Sequence, residues 1–106
     1  MTAVDVRIYE VGPRDGLQAE PTLVATQDKL RFVEMLADAG LREIETTSLV
    51  SPKAVPQLAD AEQLLAAPQR RPEIRYPVLV PNQRGLERAI GAGVNAICLV
   101  TAATDS

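Results

Sequence analysis

Histidine is absent from this 106-residue chain, and cysteine occurs once. The first absence removes the commonest acid/base at physiological pH and the commonest metal ligand. A serine–histidine triad is therefore excluded, and any chemistry must run on carboxylates, arginine, hydroxyls or backbone groups. The single Cys98, inside the apolar run AICLV, rules out a disulfide framework and reads as core, and a reducing, cytoplasmic compartment is the natural expectation. No stretch approaches the roughly 18 apolar residues of a membrane span. The opening MTAVDVRIYEV has no basic region followed by an apolar core, so neither membrane insertion nor secretion is expected. A formal net charge of −3, with acidic and basic residues interspersed, gives no basic stripe and argues against nucleic acid as a partner.

What is present fits one ordinary globular domain over residues 1–106, with 46% hydrophobic and 24% charged residues. Val4, Val6 and Ile8 alternate with Asp5, Arg7 and Tyr9, the period of a first strand with two unlike faces. After GPRDG and a polar loop, Thr26 is placed to cap a helix carrying Leu30, Val33 and Leu36, and Gly40 to stop it. A second strand follows as LREIETTS. Leu58, Ala61, Leu64 and Leu65 give a second helix face that Pro68 ends, with Asp60 and Glu62 on its solvated side. RYPVLV reads as a third strand weakened by Pro77, which cannot donate to a ladder. Asn82 caps a third helix in which Leu86, Ala89 and Ile90 face inward, the Gly91/Gly93 region closes it, and VNAICLVT is a fourth strand.

The order β-α-β-α-β-α-β with short connections predicts right-handed parallel crossovers and an α/β fold. An open doubly wound sheet and part of an eightfold barrel both match this pattern. GPRDG lacks the G-x-G-x-x-G fingerprint of a dinucleotide fold, which favours the barrel. A whole barrel takes about 250 residues, so the expectation is the first half of a TIM (β/α)8 barrel.

The unusual residues gather at the carboxyl ends of the strands, where parallel β/α sheets build their sites. Arg14 and Asp15 follow strand one, Glu45 and the hydroxyls of Thr46, Thr47 and Ser48 close strand two, and Pro81/Asn82 and Thr101/Thr104 follow strands three and four. Two readings of Arg14 and Asp15 stand, a solvated pair in a glycine–proline turn or a working pair. Glu45, in the apolar context EIETT, points to the barrel interior, where an unpaired charge costs several kcal/mol at least, by order of magnitude. Arg14 is its obvious partner, and a structural ion pair and a catalytic one fit equally well.

EVGPRDGLQ at 10–18, IETTSLVSPKAVPQL at 44–58 and YPVLVPN at 76–82 closely resemble the N-terminal part of the hydroxymethylglutaryl-CoA lyase family, barrel enzymes of the aldolase/Claisen-type metallolyase superfamily. The resemblance implies retro-Claisen cleavage of 3-hydroxy-3-methylglutaryl-CoA to acetyl-CoA and acetoacetate, with Mg2+ or Mn2+. It makes Asp15 a metal ligand, Arg14 the cation at the enolate oxygen, Glu45 a catalytic-site residue orienting Arg14, and Gln18 and Ser48 neighbours of the acyl-CoA substrate. The family completes its metal site with two histidines and an asparagine, and adds a cysteine in a late glycine-rich loop. No counterpart of these is found in the sequence, so the metal site is expected to be incomplete and the chain inactive alone. Two other expectations remain: a lyase of the same mechanism acting on another 3-hydroxyglutaryl-CoA, and a non-catalytic half-barrel that associates with itself as a homo-oligomer.

Overall fold

The computed structural model describes residues 7–66 and 71–99. Val4, Val6, Pro68, Thr101 and Thr104 lie outside those residues. In chain order the elements are β1 (Tyr9–Glu10), a wide turn (Gly12–Gly16), α1 (Thr26–Asp38), β2 (Glu43–Ile44), β3 (Thr47–Ser48), a 3-10 turn (Pro56–Leu58), α2 (Ala61–Leu65), β4 (Val78–Val80), α3 (Gln83–Gly91) and β5 (Ile97–Leu99). Every ladder is parallel: β1 on β2, β3 on β4, and β4 on β5.

The expected second strand is divided in two, for a reason written in the third. The Arg75 N–H donates to the Arg42 carbonyl and its own carbonyl accepts from Ile44, and the Pro77 carbonyl accepts from Thr46. Pro77 has no N–H for the bond that should come between them, so the ladder is interrupted there. Glu43 stands opposite Arg75 and Thr47 opposite Val78, so the second strand spends one residue more than the third over this stretch. That is a β-bulge. It also shifts the side-chain phase: Ile44 packs with Val33, Leu36 and Ala37 of α1, yet Leu49, an odd number of residues on, faces the same helical layer beside Ala61 and Leu65 of α2. Strict alternation would have sent Leu49 to the opposite face.

Sequence signals set the helix ends. The Asn82 side chain accepts from the Gly85 N–H at 2.8 Å and starts α3. Gly40 (φ 99°) and Gly93 (φ 73°) each end a helix in the left-handed region. Leu41 N–H reaches the Leu36 carbonyl and Val94 N–H the Ala89 carbonyl, the six-residue closure of a Schellman motif. Thr26 does not cap α1. Ala25 occupies that position without a side-chain bond, because the Thr26 hydroxyl donates instead to the charged Asp60 Oδ2 at 2.5 Å. Asp60 is thus no solvated residue: Lys29, 3% exposed, donates its Nζ to Asp60 Oδ1 at 2.6 Å and to the Gln57 carbonyl at 2.5 Å. Glu62 takes a two-pronged grip from Arg88 at 2.5 and 2.6 Å, which holds its carboxyl below the usual range. Ile90 turns outward at 70% exposure, since Gly85 and Ala89 make the inner face of α3.

The helices cover one face of the sheet, and Ile44, Leu49, Leu58 and Val78 are sealed between the layers at 0–1% exposure. Each such side chain contributes about 2 kcal/mol of burial. Cys98, expected in this core, is half-buried and lines an open cleft of about 710 Å3 together with Tyr9, Glu43 and Pro77.

Candidate active site

Gly12–Gly16 is a single turn of π-helical width in which one carbonyl, that of Val11, accepts from three successive N–H groups: Arg14 at 3.1 Å, Asp15 at 2.7 Å and Gly16 at 3.3 Å. Turns of this width are rare and concentrate at functional sites. Its first glycine sits in a crowded place. A Cβ on Gly12 would come within 2.9 Å of Glu10 Oε1 and 3.1 Å of Phe32 Cζ, and the Gly12 N–H already donates to that Glu10 oxygen at 2.9 Å. The buried Pro13 then fixes the turn's entry.

This turn delivers Arg14 to Glu45. Arg14 Nε donates to Glu45 Oε1 at 2.5 Å, and Glu45, 1% exposed, is also reached by the Tyr9 hydroxyl, which donates to Oε2 at 2.7 Å. The Glu45 N–H donates to the Glu10 carbonyl at 2.8 Å, so the strand carrying the carboxylate is tied to the strand carrying its partners. Burial first, and then the Glu45 carboxylate accepting its proton, push the Tyr9 phenol well above its ordinary range, and Cys98 adds to the same shift. Arg14 keeps 19% of its side chain exposed, and its Nη1 lies 3.5 Å from Asp15 Oδ1.

The other expected site residues are placed differently. Asp15 is open, with 65% of its side chain exposed. Ser48 is 1% exposed and its hydroxyl donates to the Leu79 carbonyl of β4 at 3.2 Å. Gln18 is half-buried after the wide turn. Neither Ser48 nor Gln18 joins the Tyr9–Glu45–Arg14 set among the described residues. The hydroxyls of Thr46 and Thr47, at the bulge, are buried with no hydrogen-bond partner among the described residues. Tyr9 is the residue that sequence reasoning passed over: alternation put it on the polar side of β1, where it stays 39% exposed, and only the folded chain brings its hydroxyl to the Glu45 carboxylate.

Among the described residues no three acidic, cysteine or histidine side chains cluster to hold a metal ion. Asp15 is a hard oxygen donor of the type that Mg2+ or Mn2+ prefers, but one carboxylate falls far short of the near-octahedral set such an ion demands. Glu45 is already committed to two donors. The described residues alone do not make a metal centre.

Consecutive parallel β/α units, with an arginine–carboxylate pair at the carboxyl ends of the first two strands, define a segment of a TIM-barrel enzyme. Residues 5–106 match the family described as HMGL-like, and the chain belongs to that family. It is 50% identical over 100 residues to the mitochondrial hydroxymethylglutaryl-CoA lyase of Homo sapiens, covering 94% of this chain and 31% of that protein. To the cytoplasmic 3-hydroxy-3-methylglutaryl-CoA lyase of Rattus norvegicus it is 48% identical over 101 residues, 95% of this chain and 29% of that one. A solved HMG-CoA lyase from Acinetobacter baumannii, in complex with coenzyme A and 3-methylmalate, superposes with a TM-score of 0.88 at 42% identity, covering 93% of this chain and 33% of that structure. The chain therefore spans about a third of the length of the relatives it matches. No helix among the described residues is long and apolar enough to cross a membrane.

Proposed function

We propose that this chain supplies the enolate-stabilising part of a carbon–carbon lyase acting on 3-hydroxy-3-methylglutaryl-CoA and releasing acetyl-CoA and acetoacetate. The observation that carries the reading is the buried Glu45 carboxylate gripping Arg14 Nε at 2.5 Å at the strands' carboxyl ends. As the carbinol hydroxyl gives its proton to a base and becomes the ketone of acetoacetate, the bond from the carbinol carbon to the acyl-CoA α-carbon breaks; its electron pair becomes an enolate whose negative charge develops on the thioester oxygen, and protonation of the α-carbon then gives acetyl-CoA. A fixed guanidinium at that oxygen stabilises the charge where it appears. Glu45 keeps the guanidinium aimed, and Arg14 retains the exposed edge it needs to meet a substrate. Asp15 is the carboxylate this chain contributes toward a Mg2+ or Mn2+ centre; Gln18 and Ser48 are proposed to border the substrate. An acyl-CoA partner is supported by the coenzyme A bound in the Acinetobacter relative. A cytoplasmic setting suits the lone, half-buried thiol of Cys98.

The test is a graft. Placing this chain in the Acinetobacter enzyme, in exchange for the third it matches, should preserve cleavage of 3-hydroxy-3-methylglutaryl-CoA. Arg14→Gln in the graft should then lower kcat by about 100-fold or more, the usual loss for one oxyanion donor. An active graft indifferent to Arg14→Gln would overturn the reading.

A further inference from the structure

Tyr9 has been given no role by the family resemblance or by the site as described so far. It opens β1, and its hydroxyl donates to Glu45 Oε2 at 2.7 Å while Arg14 Nε takes Oε1 at 2.5 Å. The last torsion of a glutamate is broad, so a carboxylate held at one oxygen can still swing. Held at both, from two different segments, it cannot. The donors also differ in kind. Arg14 brings charge, whereas the phenol is neutral and leaves the full carboxylate charge to act on Arg14.

We propose that Tyr9 is a positioning residue of the lyase site, locking Glu45 and through it the Arg14 guanidinium. The inference rests on the function proposed above and goes beyond it by adding a residue outside the family motif. Two further observations support it. The phenol faces the Glu45 carboxylate from the second strand and the Cys98 thiol from β5, and burial with these groups raises its ionisation well above the ordinary range, so the proton that makes the bond stays in place. Tyr9 is 39% exposed and borders the open 710 Å3 cleft rather than packing among the core side chains, so its tie to Glu45 is not a by-product of core packing.

The experiment uses the whole chain. Nitrogen-15 spectra follow hydrogen exchange at Arg14 Nε–H, with exposed Arg84 as internal reference. Tyr9→Phe should speed Arg14 exchange about tenfold, the scale of one hydrogen bond to a charged group, and leave Arg84 unchanged. Glu45→Gln should speed it at least as much. The sequence has two tyrosines and no tryptophan, so phenolate absorbance reads tyrosine ionisation directly. The most resistant transition should vanish in Tyr9→Phe and move to lower pH in Glu45→Gln. In the active graft, Tyr9→Phe should lower kcat about tenfold with KM little changed. Exchange that responds to Glu45→Gln but not to Tyr9→Phe overturns the inference and leaves the proposed function standing. Exchange indifferent to both shows that the Arg14–Glu45 contact does not form, and the function falls with it.

Discussion

A carboxylate with 1% of its surface exposed is tolerable only if its oxygens are answered, and Glu45 has a cation at one and a phenol at the other. Removing it strands both. Glu45→Ala should destabilise the chain by about 3 kcal/mol or more, because a largely buried guanidinium is left unpaired. Glu45→Gln preserves the shape but turns an amide N–H2 toward one of the donors, and should cost about 1–2 kcal/mol. Urea denaturation at constant m reads both. A Glu45→Ala midpoint equal to the parent's would show that the pair is not buried as described. The importance of Glu45 was legible in the sequence, since a charge inside an apolar strand demands a partner and Arg14, at the carboxyl end of the preceding strand, was a cation on the same rim. Tyr9 was not legible. Its contact crosses 36 residues, and nothing local marks one hydroxyl among several as the one that turns inward.

At the scale of elements, local signals were read well and tertiary ones poorly. The stops at Gly40 and Gly93 and the Asn82 cap were visible because backbone conformation and capping chemistry are local. The capping role expected of Thr26, and the solvated role expected of Asp60, failed together because Lys29 and Asp60 meet across 31 residues. Their clasp has a wider reach: Lys29 Nζ also holds the Gln57 carbonyl, and the Gln57 side chain donates to the Glu20 carbonyl at 3.0 Å. It therefore joins α1 to the start of α2 and the loop after β1 to the loop after β3. Lys29→Met should cost about 3–5 kcal/mol by leaving Asp60 without its cation, and adding Asp60→Leu should recover much of that loss. A double-mutant cycle in urea checks it, and near-zero coupling would mean the clasp contributes nothing. The division of the second strand was half legible. Pro77 marked a weak place in its neighbour, but a one-residue bulge leaves no composition signature, because its phase shift appears only once Ile44 and Leu49 are seen on the same face.

For the molecule as a whole, the parallel β/α order was readable from periodicity, because each helix–strand unit buries its own face. What periodicity does not say is what covers the remaining surface. Among the described residues β1 is paired only by β2 and β5 only by β4, so two sheet edges present unpaired backbone groups. Apolar side chains stand beside those edges: Ile8 at 60% exposed near β1, and Ile97 and Leu99 of β5 at 42% and 65%. In relatives about three times as long, the remaining chain is available to continue such a sheet. If residues 1–106 are studied by themselves, those edges are open to pairing between copies. Sedimentation velocity over a range of concentrations should show reversible self-association. Leu99→Lys should shift the distribution toward monomer by placing a charge on the β5 edge, while the exposed substitution Arg84→Lys, on α3, should change nothing. Association insensitive to Leu99→Lys would mean that copies meet elsewhere. A monodisperse monomer that unfolds cooperatively would show that the described layer of helices and strands is sufficient by itself.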